Sequence, residues 1–316
     1  MATINSHSLR RLVDGALDWT SHNLESFDPF INGPKPDVLR SKAMAELAFM
    51  CDYYRRAAEG IRDPRVQKCV SFLQAIWLRP DYKELIVRNP ESLQLYVLAY
   101  NSLVSCGMED RSYREVIQRV VDHGYATAVE AVPFRLLDLR HVLDYGGFQH
   151  NLGAYDQLYQ PTLLARMPPV VYLTDGDVYC LTHTLFYLTD FGFKPVDTVL
   201  EKQMETICWM VGTLLGIYLR VRDWDLVAEL LLCCLCLRWK PPVVFEAAWD
   251  SLLRAQLADG SIPAPKFSMD RRKELNEKQW STYAFEENYH TTLVAALAAF
   301  LSDRLLINHE YANANN

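Results

Sequence analysis

Apolar residues recur along this chain with helical spacing, three or four apart, between short polar, Gly or Pro breaks. One set of stretches is apolar on most faces: 39–54, 92–106, 133–144, 179–190, 225–237 and 289–301. A second set carries one polar face: 9–24, 64–78, 112–123, 157–166, 196–219 and 243–257. The two sets alternate, amphipathic then buried, six times over. The buried stretches start 53, 41, 46, 46 and 64 residues apart. A helical hairpin repeated at that period predicts either a solenoid or a closed ring. The run Leu230 to Leu237, all Leu or Cys, favours the ring, because a helix apolar all round must be enclosed. Six enclosed helices inside six amphipathic ones predict an all-α (α/α)6 toroid. It forms a single domain over residues 1–307, followed by a flexible tail, 308–316.

The punctuation agrees. Asp63-Pro64 supplies an N-cap and a first-turn proline. Gly124, Gly146-Gly147, Gly192 and Gly260 follow helix ends, where a left-handed residue is wanted. The break at 258–285 holds two prolines and the charged run 270–274. It reads as a solvated excursion rather than a flap over the ring. Composition narrows the classes further. Of 316 residues, 50% are apolar and 22% charged, which excludes a disordered chain. A formal charge of −7 offers no basic footprint for nucleic acid. Residues 1–11 lack an apolar signal core. The uncharged stretch 206–219 falls short of the roughly 20 residues of a membrane span and predicts a buried helix instead. The eight cysteines form no disulfide framework, and the Cys233/Cys236 pair lies in mid-helix with no second pair. A cytoplasmic protein with a small-molecule substrate and no membrane span is expected.

Chemistry is expected where the inner helices begin. In such a ring they all run one way, so their N-termini gather at one rim. The first turns are polar for helices so apolar further on: Arg135 and Asp138; Asp177, Cys180 and His183; Asp223, Asp225 and Glu229; Asn288, Tyr289 and His290. Cys180 and His183 lie three apart on one helical face. With His290 and a carboxylate from Asp177 or Asp225 they offer the N, S and O ligands that Zn²⁺ takes tetrahedrally. The same rim also reads as acid–base equipment without metal, with Asp225, Glu229, Arg135, Asp138 and Tyr289 as catalytic candidates. Asp223 and Asp225 are two apart, so only one faces inward, and Asp223 competes as a helix N-cap. Arg140 and Asp144 read as an internal ion pair. Tyr179, Phe186, Tyr187, Trp224, Tyr283, Phe285 and Tyr289 supply aromatic surface near the rim.

The segment Ala248-Trp-Asp-Ser-Leu-Leu-Arg-Ala-Gln-Leu-Ala-Asp-Gly-Ser is similar to the Gln-x-x-Asp-Gly-Ser turn that recurs in terpenoid cyclase and protein prenyltransferase toroids. Asn288-Tyr-His-Thr-Thr-Leu resembles the Tyr-His-Thr segment of prenyltransferase β subunits, which implies a zinc-ligand role for His290. The family's Asp and Cys ligands map onto Asp177 and Cys180 with a different spacing. Thr182-His-Thr-Leu-Phe-Tyr-Leu-Thr-Asp-Phe-Gly and Arg222-Asp-Trp-Asp-Leu resemble an uncharacterised bacterial family and imply no known activity. The Asp-x-Asp-Asp and DDxxD acids of terpene cyclases and the Cys-His-Gly element of lanthionine cyclases are absent. The chain therefore reads as an enzyme of bacterial specialised metabolism acting on a small organic or prenyl-type substrate, with Zn²⁺ as its candidate cofactor. A carbohydrate-active (α/α)6 enzyme with paired carboxylates and a non-catalytic binding toroid are the alternatives.

Overall fold

A computed structural model of the chain describes residues 6–58, 62–79, 81–128, 130–196 and 198–314. Among the described residues all regular structure is helical, with no β-strand. Twelve helices carry the architecture. They are α1 (Ser6–His22), α2 (Val38–Ala57), α3 (Pro64–Trp77), α4 (Leu93–Ser105), α5 (Arg111–Asp122), α6 (Phe134–Tyr145), α7 (Tyr155–Tyr159), α8 (Asp175–Leu188), α9 (Met204–Val221), α10 (Trp224–Cys236), α11 (Val244–Ala255) and α12 (Glu277–Ala314). Local chemistry fixes many of the starts. Asp37, Asp63, Asp110, Thr174 and Asp223 each accept a backbone N–H of the first turn at the heads of α2, α3, α5, α8 and α10.

The even-numbered helices are the buried ones. In α10 every residue from Asp225 to Cys236 is buried, as a helix apolar on all sides requires. Each even helix packs on the next, α2 on α4, α4 on α6, α6 on α8, α8 on α10 and α10 on α12, and α12 packs back on α2. Their C-terminal ends meet at one pole. Asp52 of α2 accepts from Tyr145 of α6 at 2.9 Å and from Ser105 of α4. Asp190, just beyond α8, pairs with Arg56 of α2 at 2.6 Å and with His141 of α6 at 3.0 Å. Arg238, just beyond α10, donates to the Gly192 carbonyl at 2.7 Å, and Arg304 of α12 donates to the Arg56 carbonyl. The ends of α2, α4, α6, α8 and α10 and the Arg304 stretch of α12 thus gather at one pole, with the helix starts directed toward the other.

The odd helices lie outside and carry the chain back. The last hairpin docks on the first through the turn after α11. Asp259 accepts from the Ser261 amide and hydroxyl, and Gln256 donates to the Leu12 carbonyl at 2.9 Å. Gly260 has φ +92°, and a Cβ there would lie 2.1 Å from the Gly15 carbonyl oxygen, so both conformation and contact demand glycine.

Several expectations are corrected. The outer helix expected at 157–166 is two short pieces, because Pro161 has no N–H to continue the first and Thr162 caps a second, Leu163–Arg166. The stretch 206–219 belongs to α9 and is not enclosed: Ile207, Val211, Leu214 and Leu215 face the core, while Trp209, Ile217 and Val221 are exposed. By length and composition alone, Met204–Val221 would suffice to cross a membrane. α12 continues through the segment read as a tail, to Ala314. The excursion after α11 is anchored at Ile262, buried and bonded to Thr292 at 2.9 Å. Its 270–274 run is exposed and lies away from the cavity described next.

Candidate active site

All six even helices contribute to one cavity of about 440 Å³. Along five of the six helices polar lining residues precede apolar ones: Lys42 and Glu46 before Phe49, Gln94 before Leu98, His183 before Phe186, Glu229 before Leu232, His290 before Leu297; α6 contributes Phe134, Arg135 and Asp138 from its first turns. The cavity therefore has a polar end toward the helix N-termini and an apolar end toward the pole where the C-termini meet.

Helical spacing builds its wall. Asp223 caps α10 at 3.1 Å from the Leu226 amide, which leaves Asp225 and Glu229, four apart, on one face. Glu229, 1% exposed, is the centre of the network. It accepts from the Thr182 hydroxyl and has His183 Nδ1 at 3.5 Å and His290 Nε2 at 3.5 Å. His290 is clamped from both sides, its Nδ1 3.1 Å from Glu46 and its Nε2 3.8 Å from Asp225. Asp225 accepts from the hydroxyls of Tyr179 and Thr291, the latter at 2.8 Å. His183 Nδ1 donates to the Tyr179 carbonyl at 2.9 Å, so its Nε2 is the ring nitrogen left toward the cavity. Its ring sits among Phe134, Phe186, Tyr187 and Tyr179, with centroids 5.6–6.3 Å away.

These neighbours set the charge states. Burial pushes the His290 imidazolium toward neutrality, but Asp225, Glu46 and Glu229 outweigh it and hold its pKa well above 6.5. Burial likewise opposes ionisation of Glu46, yet His290 and Lys42 bring it down to about 2. Glu229 is lowered too, burial being overcome by His183 and His290. Asp138 goes the other way. Burial raises it despite Arg135 at 3.2 Å and nearby His183, which inclines it toward a neutral acid. Burial and the neighbouring Asp225 keep the Tyr179 phenol protonated.

The structure thus brings together His183, His290, Glu229, Asp225, Asp138 and Arg135. It does not bring in Tyr289, which lies 100° round α12 from His290 and stacks on Phe285 at 5.4 Å with Phe27 edge-on. Nor do the other two expected zinc ligands reach the histidines. Asp177 accepts from the amide and hydroxyl of Thr174 in a capping box. Cys180 is not among the residues lining the cavity, and burial raises its pKa. Both ring nitrogens of His290 already face carboxylates. Among the described residues no three His, Cys, Asp or Glu side chains are disposed to hold a metal. The expected zinc set does not fit. Arg140 pairs with Asp144 at 3.1 Å, as expected, away from the cavity. Glu46 and Lys42 join the site from beyond the first turn of α2; their signal in the sequence is a Lys–Glu pair four apart inside an apolar helix.

Fold and site together define an all-helical protein with an internal cavity walled by a buried ionic network. The family described as a domain of unknown function, DUF6895, matches residues 13–300, and the chain belongs to it. No curated protein and no solved structure matches the chain.

Proposed function

We propose that the chain is an (α/α)6 toroid whose central cavity is the active site of an acid–base enzyme acting on a small, largely apolar organic molecule. The unbroken circuit of even helices and the common direction of their ends support the toroid. One observation carries the enzymatic reading: a buried carboxylate, Glu229, sits between two imidazoles on the wall of a cavity. Buried ion pairs add little stability over well-packed apolar residues, so such a network at a cavity points to chemistry. His183 exchanges the proton through Nε2, and Glu229 and the Tyr179 carbonyl hold its other nitrogen. His290 is a fixed positive charge for developing anionic character, and Asp138, its pKa raised by burial, is a second acid–base group lining the cavity. Aliphatic and aromatic side chains below the polar end favour an apolar guest over a sugar. Free, mostly buried cysteines suit a reducing compartment.

The test is incubation of purified protein with a small-molecule extract of the source organism, read by untargeted mass spectrometry. Wild type is expected to consume at least one apolar metabolite that His183→Asn and Glu229→Gln leave intact, all three proteins being equally helical by circular dichroism. Identical profiles for all three would overturn the proposal.

A further inference from the structure

We propose that Phe191 is the depth gauge of the cavity, its ring setting the longest apolar chain the site accepts. The inference rests on the reading of the cavity as a ligand site. Asp190, Phe191 and Gly192 follow α8 with φ of +47°, +51° and +85°. Glycine takes that region freely; two successive residues with side chains persist there only where the surroundings over-determine them. The surroundings do so. Asp190 is bonded to Arg56 at 2.6 Å and to His141 at 3.0 Å, Tyr53 donates to the Phe191 carbonyl at 2.9 Å, and Arg238 donates to the Gly192 carbonyl at 2.7 Å. Three walls of the cavity thus grip one short segment.

The grip aims a single ring upward. Phe191 lines the cavity, 4.5 Å from Phe49, stacked 5.1 Å from Phe186, and 5.9 Å from Tyr187. Its backbone belongs to the polar pole below, one turn past Phe49, where Tyr53 is fully buried. Every other apolar lining residue stands on the side wall, on a helix. A narrow apolar chain entering past His183 and Glu229 therefore runs between Leu98, Leu232, Leu293 and Leu297 until it meets Phe191. The ligand class is an unbranched alkyl or similarly slender chain with its functional group at the polar end.

The experiment is calorimetric titration of the full chain with 1-alkanols of increasing length. Each buried methylene strengthens binding about fourfold, and the gain stops when the chain reaches the floor. Phe191→Ala is expected to move that break to alcohols longer by about two or three carbons, having opened roughly 100 Å³ below it. Phe191→Gly removes the same ring while suiting the left-handed backbone, so it keeps the test alive if the alanine variant does not fold. A merely structural role for Phe191 would weaken all alcohols alike and leave the break in place, and an unmoved break in a folded variant would overturn the proposal. Failure of wild type to bind any alcohol would instead remove the ligand cavity itself, and both readings with it.

Discussion

Glu46 has two cations within reach, His290 at 3.1 Å and Lys42 at 3.4 Å, and together they overcome its burial and bring its pKa from 4.5 to about 2. A depressed carboxylate contributes stability above its unfolded value, and that contribution is lost as pH falls from about 4.5 toward 2. Its size is about 3 kcal/mol, shared with His290. Urea midpoints followed from pH 6 to pH 2 should therefore fall more steeply for wild type than for Glu46→Gln. His290 obeys the opposite sign. Its raised pKa gives stability that is complete below 6.5 and is lost only as pH climbs through its higher folded value. In NMR titration the His290 ring should stay an imidazolium through neutral pH. Glu229→Gln should bring its titration down and lower stability by about 3 kcal/mol, because a buried charge then loses its counter-charge.

The turn after α11 shows how one element depends on a neighbour far away in sequence. Gly260 lies against the Gly15 carbonyl with a left-handed backbone, so Gly260→Ala must both strain the turn and lift it from α1. A loss above about 1 kcal/mol is expected, visible as a lowered thermal midpoint, whereas at Gly33, where an added Cβ meets nothing within 4 Å, a substitution concerns the backbone alone. Much at this scale was readable beforehand. The apolar runs marked the even helices, since a stretch such as 225–237 has no polar face to offer water. Side-chain N-caps such as Asp63 and Asp223 announced starts. The misses have physical causes. Pro161 broke α7 inside an otherwise helical pattern, and α9 is apolar enough to look enclosed although Trp209 faces out. Which face of a helix looks inward was harder still. Tyr289 and His290 are neighbours in sequence, but one turns to Phe285 and the other to Glu229. Glu46 lies on the third turn of α2, away from the polar helix start that marks the other cavity residues in the sequence.

At the scale of the whole molecule, the contacts that join α12 to α2 connect residues some 250 positions apart, as His290 with Glu46 and Arg304 with Arg56 show. The proposed toroid has no terminal repeat to peel away, unlike an open solenoid. Far- and near-ultraviolet circular dichroism should consequently report one coincident urea transition; two separated transitions would indicate hairpins opening in sequence. The same closure brings α1 beside α12, with Arg10 within 3.9 Å of Asp303. The first turns of α1 and the stretch of α12 around Asp303 thus lie side by side, away from the cavity's polar end. Topologically the order in which the hairpins are strung is then arbitrary: a circularly permuted gene, joined there by a flexible linker and reopened between two other hairpins, should rebuild the same chamber around His183 and Glu229.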